Sequence, residues 1–207
     1  VRVNEDGTIR IVMQDGINNN DNYAFNSNYN NYTYMYYSNS QAKTTLESWY
    51  QTNIGSKTDL ASSVANGDYY CEQAKVKLDE SYASGSATMT TYNKYTPDFK
   101  CIADGNGKGI VNASVGLLSY DEVLYAGGYY AQNNSNYYLY NPNIHWWTMS
   151  PIGFASGRSY VWYVRTTGII NYNYVTTIIR LRPTLNLTAD TKISSGTGTS
   201  SDPFVVS

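Results

Sequence analysis

An α+β domain is predicted for this chain of 207 residues, on three observations. Short segments of alternating or β-branched character crowd both ends of the sequence. Only two stretches carry a helical period. Asn- and Tyr-rich runs separate these pieces, and no period of about 20–50 residues repeats. The length suits one domain over 1–207, with two short helices, small twisted antiparallel sheets and long irregular loops.

Residues 1–13 read as a hairpin. Arg2-Val3-Asn4 leads into Glu5-Asp6-Gly7-Thr8, and the alternating Ile9-Arg10-Ile11-Val12-Met13 returns, with Asp-Gly as the turn signal. Residues 14–40 have low complexity and no helical period, which predicts a long surface loop with at most short strands. Gln41 to Thr52 is the first helix, because Leu46, Trp49 and Tyr50 fall at i, i+3 and i+4 and form one apolar face. Residues 60–105 are irregular. The second helix occupies 119–128. Ser119-Tyr120-Asp121-Glu122 is a capping box, Val123, Leu124 and Tyr125 follow it, and Gly127-Gly128 is a stop. Strands then fill 145–188: His145 to Ser150, Tyr160 to Val164, Gly168 to Asn173 and Arg182 to Leu187. Ser194 to Thr199 is a loop, and Asp202-Pro203-Phe204-Val205-Val206 is a closing strand expected to pair with the N-terminal hairpin.

Composition narrows the function classes. Charged residues make up 14% of the chain and the formal net charge is −2, so no basic excess exists to drive nucleic-acid binding by counterion release. No run of 18 apolar residues exists to span a membrane. Tyrosine is the outlier at 23 residues, matched by 23 asparagines. Tyr supplies rigid contact area while small polar residues supply adaptable hydrogen bonds, the chemistry of binding surfaces. Some of these tyrosines must also fill the core, since Phe and Trp number only 4 each. The two cysteines, Cys71 and Cys101, sit in polar, Tyr-rich surroundings and are expected to form a disulfide, worth roughly 3–4 kcal/mol in the chain-entropy model.

Catalytic constellations are sparse. His145 is the only histidine, beside Trp146 and Trp147, and reads as a packed residue rather than a general base. No Gly-x-Ser-x-Gly elbow and no phosphate-cradling Gly-rich loop occurs. Asp104-Gly-Asn106-Gly-Lys108-Gly109 resembles the start of a calcium loop, but Lys108 and Val115 stand where oxygen ligands belong, so a turn is the better reading. No cofactor is expected. A structural cation remains open, with no motif to place it.

The C-terminal third carries a resemblance. His145-Trp-Trp-Thr-Met-Ser150-Pro151, Tyr160-Val-Trp-Tyr-Val-Arg-Thr-Thr-Gly168, Arg182-Pro183-Thr-Leu-Asn-Leu and Ser195-Gly-Thr-Gly-Thr-Ser-Ser-Asp202-Pro203-Phe-Val-Val follow in order. The series is similar to a family of Firmicutes and Mollicutes surface domains, often joined to pseudopilin-like N-terminal anchors. Val1-Arg-Val-Asn-Glu-Asp-Gly-Thr-Ile-Arg10 and Leu117-Leu-Ser-Tyr-Asp-Glu-Val123 extend the likeness over nearly the whole chain. That family in turn resembles the C-type-lectin-like fold, shared by formylglycine-generating enzymes and by the variable proteins of diversity-generating retroelements. The resemblance implies an extracellular or cell-surface ligand-binding domain without enzymatic activity. Its partner would be a protein or glycan on another cell or a host, with any membrane anchor lying upstream. The Glu-Pro-Asn, Gln-Pro-Asp and Trp-Asn-Asp motifs of calcium-dependent lectins are absent.

The segment 150–182 sharpens the expectation. Retroelements of this kind mutate adenines, and Asn codons then scatter to Tyr, Thr, Ile, Ser and Asp. Ile152, Gly153, Ala155, Gly157, Arg158, Tyr160, Tyr172, Tyr174, Thr176, Thr177, Ile178 and Ile179 are all reachable in this way. Trp147, Ser150, Trp162, Gly168, Arg182 and Pro183 stand between them as framework. A hypervariable face is therefore expected, with Ile152, Phe154, Arg158, Tyr160, Arg165, Tyr172, Tyr174, Thr176, Ile178 and Ile179 as ligand contacts. Ile178, Ile179 and Leu181 in a loop before Pro183 would be costly exposed apolar groups unless they pack or bind. An ordinary sheet rich in strand-forming Tyr, Thr and Ile explains the same composition. Two further readings stand beside the first. An invariant pilin-like subunit or adhesin would self-associate through its Tyr-rich face. An enzyme of the formylglycine-generating kind would need a free, reactive thiol.

Overall fold

The computed structural model describes residues 2–73, 76–77, 90–91, 96–97, 99–101, 109–197, 199, 202 and 205–206. Its strands, in chain order, are β1 (Arg2–Val3), β2 (Ile9–Val12), β3 (Asn22–Ala24), β4 (Gly67–Cys71), β5 (Val76–Lys77), β6 (Thr90–Thr91), β7 (Ile110–Ala113), β8 (Val115–Gly116), β9 (Tyr129–Tyr130), β10 (Trp146–Ala155), β11 (Arg158–Val164), β12 (Ile169–Tyr174), β13 (Ile178–Arg180), β14 (Thr184–Leu187), β15 (Ile193–Ser195) and β16 (Val205–Val206). The helical pieces are α1 (Ile17–Asn20), α2 (Gln41–Tyr50), α3 (Thr58–Ser62) and α4 (Tyr120–Tyr125). The class is α+β, mostly sheet with a few short helices.

A four-stranded antiparallel sheet runs in the order β1-β2-β14-β8, and a six-stranded sheet in the order β3-β13-β10-β11-β12-β9. The larger sheet is mixed, because β10 pairs with β13, and β12 with β9, in parallel. That departs from the antiparallel sheets expected of the sequence. Parallel pairs need a returning connection, and the segments that lead to β9 and β13 provide it.

Two apolar clusters lie on opposite faces of the six-stranded sheet. Along β11 the side chains alternate: Val161 and Tyr163 enter one cluster, Trp162 and Val164 the other. The neighbours Trp146 and Trp147 are both fully buried and part in the same way. Helix α2 closes the first cluster with Ala42, Leu46 and Tyr50, and Ser40 caps it by accepting from Lys43 N at 3.0 Å. Helix α4 closes the second with Tyr120, Val123 and Leu124.

Residues 14–40 are not a surface loop. Ile17, Phe25, Met35, Tyr36 and Tyr37 within them are fully buried. The segment has no helical period because it runs as one turn, a short strand and two 3-10 turns, each too short to display one. Asparagine makes such a buried, irregular path feasible by satisfying backbone groups that no ladder pairs. The Asn26 amide donates to Tyr34 O and Asn39 O, and Asn31 Oδ1 accepts from Thr33 N at 2.9 Å. Asn18, Asn19 and Asn20 take left-handed backbone, which Asn tolerates best after Gly.

The expected pairing of the last strand with the N-terminal hairpin does not form. Strand β16 pairs with β15, and β2 instead receives β14 along its free edge, with Thr184 to Leu187 facing Val12 to Ile9. The hairpin strand β2 thus has both edges occupied, by β1 and β14. Cys71 and Cys101 are joined in a disulfide.

The two layers are tied by a buried ion pair. Arg10 of β2 and Glu122 of α4 are 1% and 4% exposed, and their charged groups meet at 3.0 Å. Glu122 also completes the capping box, accepting from Ser119 N at 2.8 Å, while Ser119 Oγ accepts from Glu122 N at 3.2 Å. Arg10 donates further to Asn186 Oδ1 and to Tyr69 O, and its guanidinium lies 4.5 Å from the Tyr70 ring centre.

Candidate ligand-binding face

Strands β11 and β12 set Tyr160 opposite Tyr174, Trp162 opposite Tyr172 and Val164 opposite Ile170. Because strand side chains alternate, these six share one face of the sheet. The face grades from core to solvent. Trp162 is 1% exposed, Tyr172, Tyr160 and Tyr174 are half-buried, and Tyr29 reaches 40%. The rings form a continuous series with centroid separations of 5.7 Å (Trp162 to Tyr172), 5.8 Å (Tyr172 to Tyr160), 4.8 Å (Tyr160 to Tyr174) and 6.5 Å (Tyr174 to Tyr29). Tyr120 and Tyr130 back Trp162 from beneath, at 4.4 and 5.4 Å. Aromatic pairs at these distances stabilise one another, so the outer rings are held as a fixed surface.

Arg158 closes the exposed end. Its guanidinium lies 4.8 Å from the Tyr174 ring centre and 5.6 Å from that of Tyr29, and Nη1 donates to the Tyr174 hydroxyl at 2.8 Å. Tyr29 is placed by Ser159, whose N donates to Tyr29 O at 2.8 Å and whose Oγ donates to Asn31 O at 2.5 Å. The Tyr174 oxygen also accepts from Tyr160, and these two bonds hold the Tyr174 phenol below its ordinary range. Tyr160, partly desolvated and donating to Tyr174, is pushed up to about 12. Tyr174 should therefore ionise first as pH rises. Absorbance titration at 295 nm is expected to lose its earliest phenolate step in Tyr174→Phe and to shift that step to higher pH in Tyr160→Phe, which removes one of the two bonds holding it down. An early step that stays in place in Tyr174→Phe would contradict the assignment.

The structure brings together Arg158, Tyr160, Tyr172 and Tyr174 of the predicted contacts and separates the others. Ile152, Phe154 and Ile179 are 1%, 4% and 6% exposed, so their side chains fill the core and do not reach the solvent-facing surface expected of them. Strand β10 is flanked by β11 and β13, with a cluster on each side, and its register shifts between Trp147 and Gly153 turn Ile152 to one cluster and Phe154 to the other. Leu181, expected in an exposed loop, is fully buried. Arg165 is exposed but lies at the far end of β11, in the turn to Gly168. Thr176 is half-buried in the turn after Tyr174. Ile178 is 64% exposed on β13, and β10 and β11 stand between that strand and β12. Tyr29 was hidden from sequence reasoning among the many tyrosines of residues 14–40.

His145 Nδ1 accepts from Thr166 N at 3.0 Å, which commits that nitrogen to the backbone. Burial and the charges of Arg165 and Arg180 lower its pKa. With the two cysteines bridged, neither offers a free thiol. Asp104, Asn106 and Lys108 lie outside the described residues. Among the described residues no group of three or more His, Cys, Asp or Glu could hold a metal ion, and no helix is long and apolar enough to cross a membrane. Comparison with protein-family models, curated proteins and solved structures finds no match for this chain.

Proposed function

We propose that this chain is a ligand-binding domain of C-type-lectin-like fold, displayed outside the cell and without enzymatic activity, which engages its target through the aromatic face of β11 and β12. The observation that carries this reading is the cross-strand series of Tyr160, Tyr172 and Tyr174 ending on Arg158 and Tyr29. Tyr and Arg are the residues that dominate binding hot spots, and here a packed base holds them in place before any ligand arrives. The disulfide is compatible with an oxidising, extracellular setting. The bridge also leaves the formylglycine-type alternative without its thiol.

A diversified face must vary where side chains reach solvent and stay fixed where they fill the core. Sequencing the 3′ part of this gene across its natural population is expected to find adenine substitutions concentrated in the codons of Arg158, Tyr160, Tyr172, Tyr174, Thr176 and Ile178. The codons of Ile152, Ile179 and the framework residues Trp147, Trp162, Gly168 and Arg182 should be spared. Sparse variation spread evenly along the gene would overturn the diversification.

A further inference from the structure

The charges of this chain are distributed unevenly. Of its 16 acidic residues, none falls between Val123 and Ala189, whereas that stretch holds Arg158, Arg165, Arg180 and Arg182. The segment that builds the aromatic face is therefore net positive by 4 in a chain of net charge −2. All of its cations are arginines. Two of them are committed to backbone carbonyls: Arg182 to Met13 O and Leu139 O, Arg180 to Asn20 O. Arg158 is exposed, and among the described residues no carboxylate pairs with it.

Stacked on Tyr174 and Tyr29 and bonded to the Tyr174 hydroxyl, Arg158 keeps its remaining N–H donors for another group. A planar guanidinium fixed in orientation matches a carboxylate or sulfate in a two-point contact. Fixing it beforehand removes the rotamer cost that a mobile arginine would incur on binding. The backbone around it restricts the rest of the ligand. Strand β11 is hydrogen-bonded on both sides, by β10 and β12. Strand β12 meets β9 only at Ile169 and Ile170, and beyond them the Tyr172 and Tyr174 amides are taken by Oδ1 of Asn171 and Asn173. An extended peptide adding as a strand along Asn171–Tyr174 would have to displace those side-chain bonds. What reaches solvent there is part of each tyrosine ring, 40% of Tyr29 and less of Tyr160, Tyr172 and Tyr174, and aromatic surface suits the apolar faces of sugar rings.

Resting on the binding-face reading above, we infer that the ligand is an acidic glycan, whose sugar rings stack on Tyr174, Tyr160 and Tyr29 and whose carboxylate or sulfate pairs with Arg158. The test is binding of the intact domain to immobilised oligogalacturonate, its methyl ester, chondroitin sulfate, cello-oligosaccharide and poly-glutamate. Oligogalacturonate and its methyl ester share one ring and differ in charge. Binding is expected to oligogalacturonate, chondroitin sulfate or both, and to weaken with added salt. Arg158→Gln should lower it about 10- to 100-fold, the worth of one charge-assisted pair. Arg158→Lys should fail to restore it, since Lys keeps the charge but loses the fork. Equal binding to the acid and its ester, abolished by Tyr174→Ala, would overturn the acidic group and leave the aromatic face standing. Binding to poly-glutamate alone would overturn the glycan. Binding to none of the five probes would overturn the inference, and binding that survives both Arg158→Gln and Tyr174→Ala would overturn it together with the face itself.

Discussion

Replacing Gly168 with alanine is expected to cost more than about 3 kcal/mol and to leave little folded protein, since buried steric conflict and a forbidden backbone act together. Gly168 sits at φ +77°, where an L side chain is strained. A Cβ there would stand 1.6 Å from Asn134 O and 2.7 Å from Asn134 C. Both are backbone atoms, so no rotamer change relieves the clash. The contact is part of a seat in which Asn134 N donates to Thr167 O at 3.2 Å and the Tyr137 hydroxyl to Gly168 O at 3.4 Å. The loop 132–140 and the turn that sets β12 beside β11 would have to part. Gly157 is the control. It has φ +70° but nothing within 4 Å of its would-be Cβ. Gly157→Ala should therefore show only the backbone penalty, roughly 1–2 kcal/mol. Urea unfolding of the two variants separates these terms, and equal midpoints would contradict the steric account.

The second large effect concerns Glu122. Glu122→Gln keeps the size and an acceptor for Ser119 N, but it removes the charge that neutralises buried Arg10. Breaking a buried pair by removing one partner costs about 3–5 kcal/mol, because the remaining charge is stranded. Arg2, whose Nε lies 3.3 Å from Glu122 and whose side chain is 35% exposed, can turn to solvent, so the penalty falls on Arg10. Ser119→Ala removes only the cap and should cost about 1 kcal/mol. The double variant Arg10→Met with Glu122→Met should lose much less than the sum of its single changes. A Glu122→Gln midpoint no lower than that of Ser119→Ala would show that the pair does not hold the layers.

These two sites also show how much of the molecule the sequence displays. The capping box at Ser119 to Glu122 is legible because its spacing is local, and it forms as read. The bond from Glu122 to Arg10 spans 112 positions, and nothing in an alternating Ile9-Arg10-Ile11 marks the arginine as inward-facing. Helix α2 is legible from Leu46 and Tyr50, both buried. Residues 14–40 are not, because irregular buried backbone has no period and Asn reads as solvent-seeking until its amide is seen bonded to Tyr34 O and Asn39 O. At the proposed binding face, Tyr160, Tyr172 and Tyr174 could be named only through the resemblance and the variable segment that it implies. Their register, and the insertion of Tyr29 from a distant loop, depend on strand pairing. Ile152, Phe154 and Ile179 turn into the core for reasons of the same kind. Bulges and a parallel crossover decide which way such side chains point, and neither has a signature in one sequence.

The central claim is that the outer side of β11 and β12 is where this domain meets its ligand. The most direct test compares the wild type with the Tyr172→Ala, Tyr174→Ala double variant on a printed panel of glycans and cell-surface proteins. Tyr138→Ala serves as the control, being 73% exposed and outside the ring series. Near-native unfolding midpoints for the variants would establish that the fold is retained. The account predicts that each signal of the wild type falls at least about 10-fold in the double variant, the loss of two aromatic contacts, and survives in Tyr138→Ala. Signals that persist in the double variant and vanish in Tyr138→Ala would contradict it.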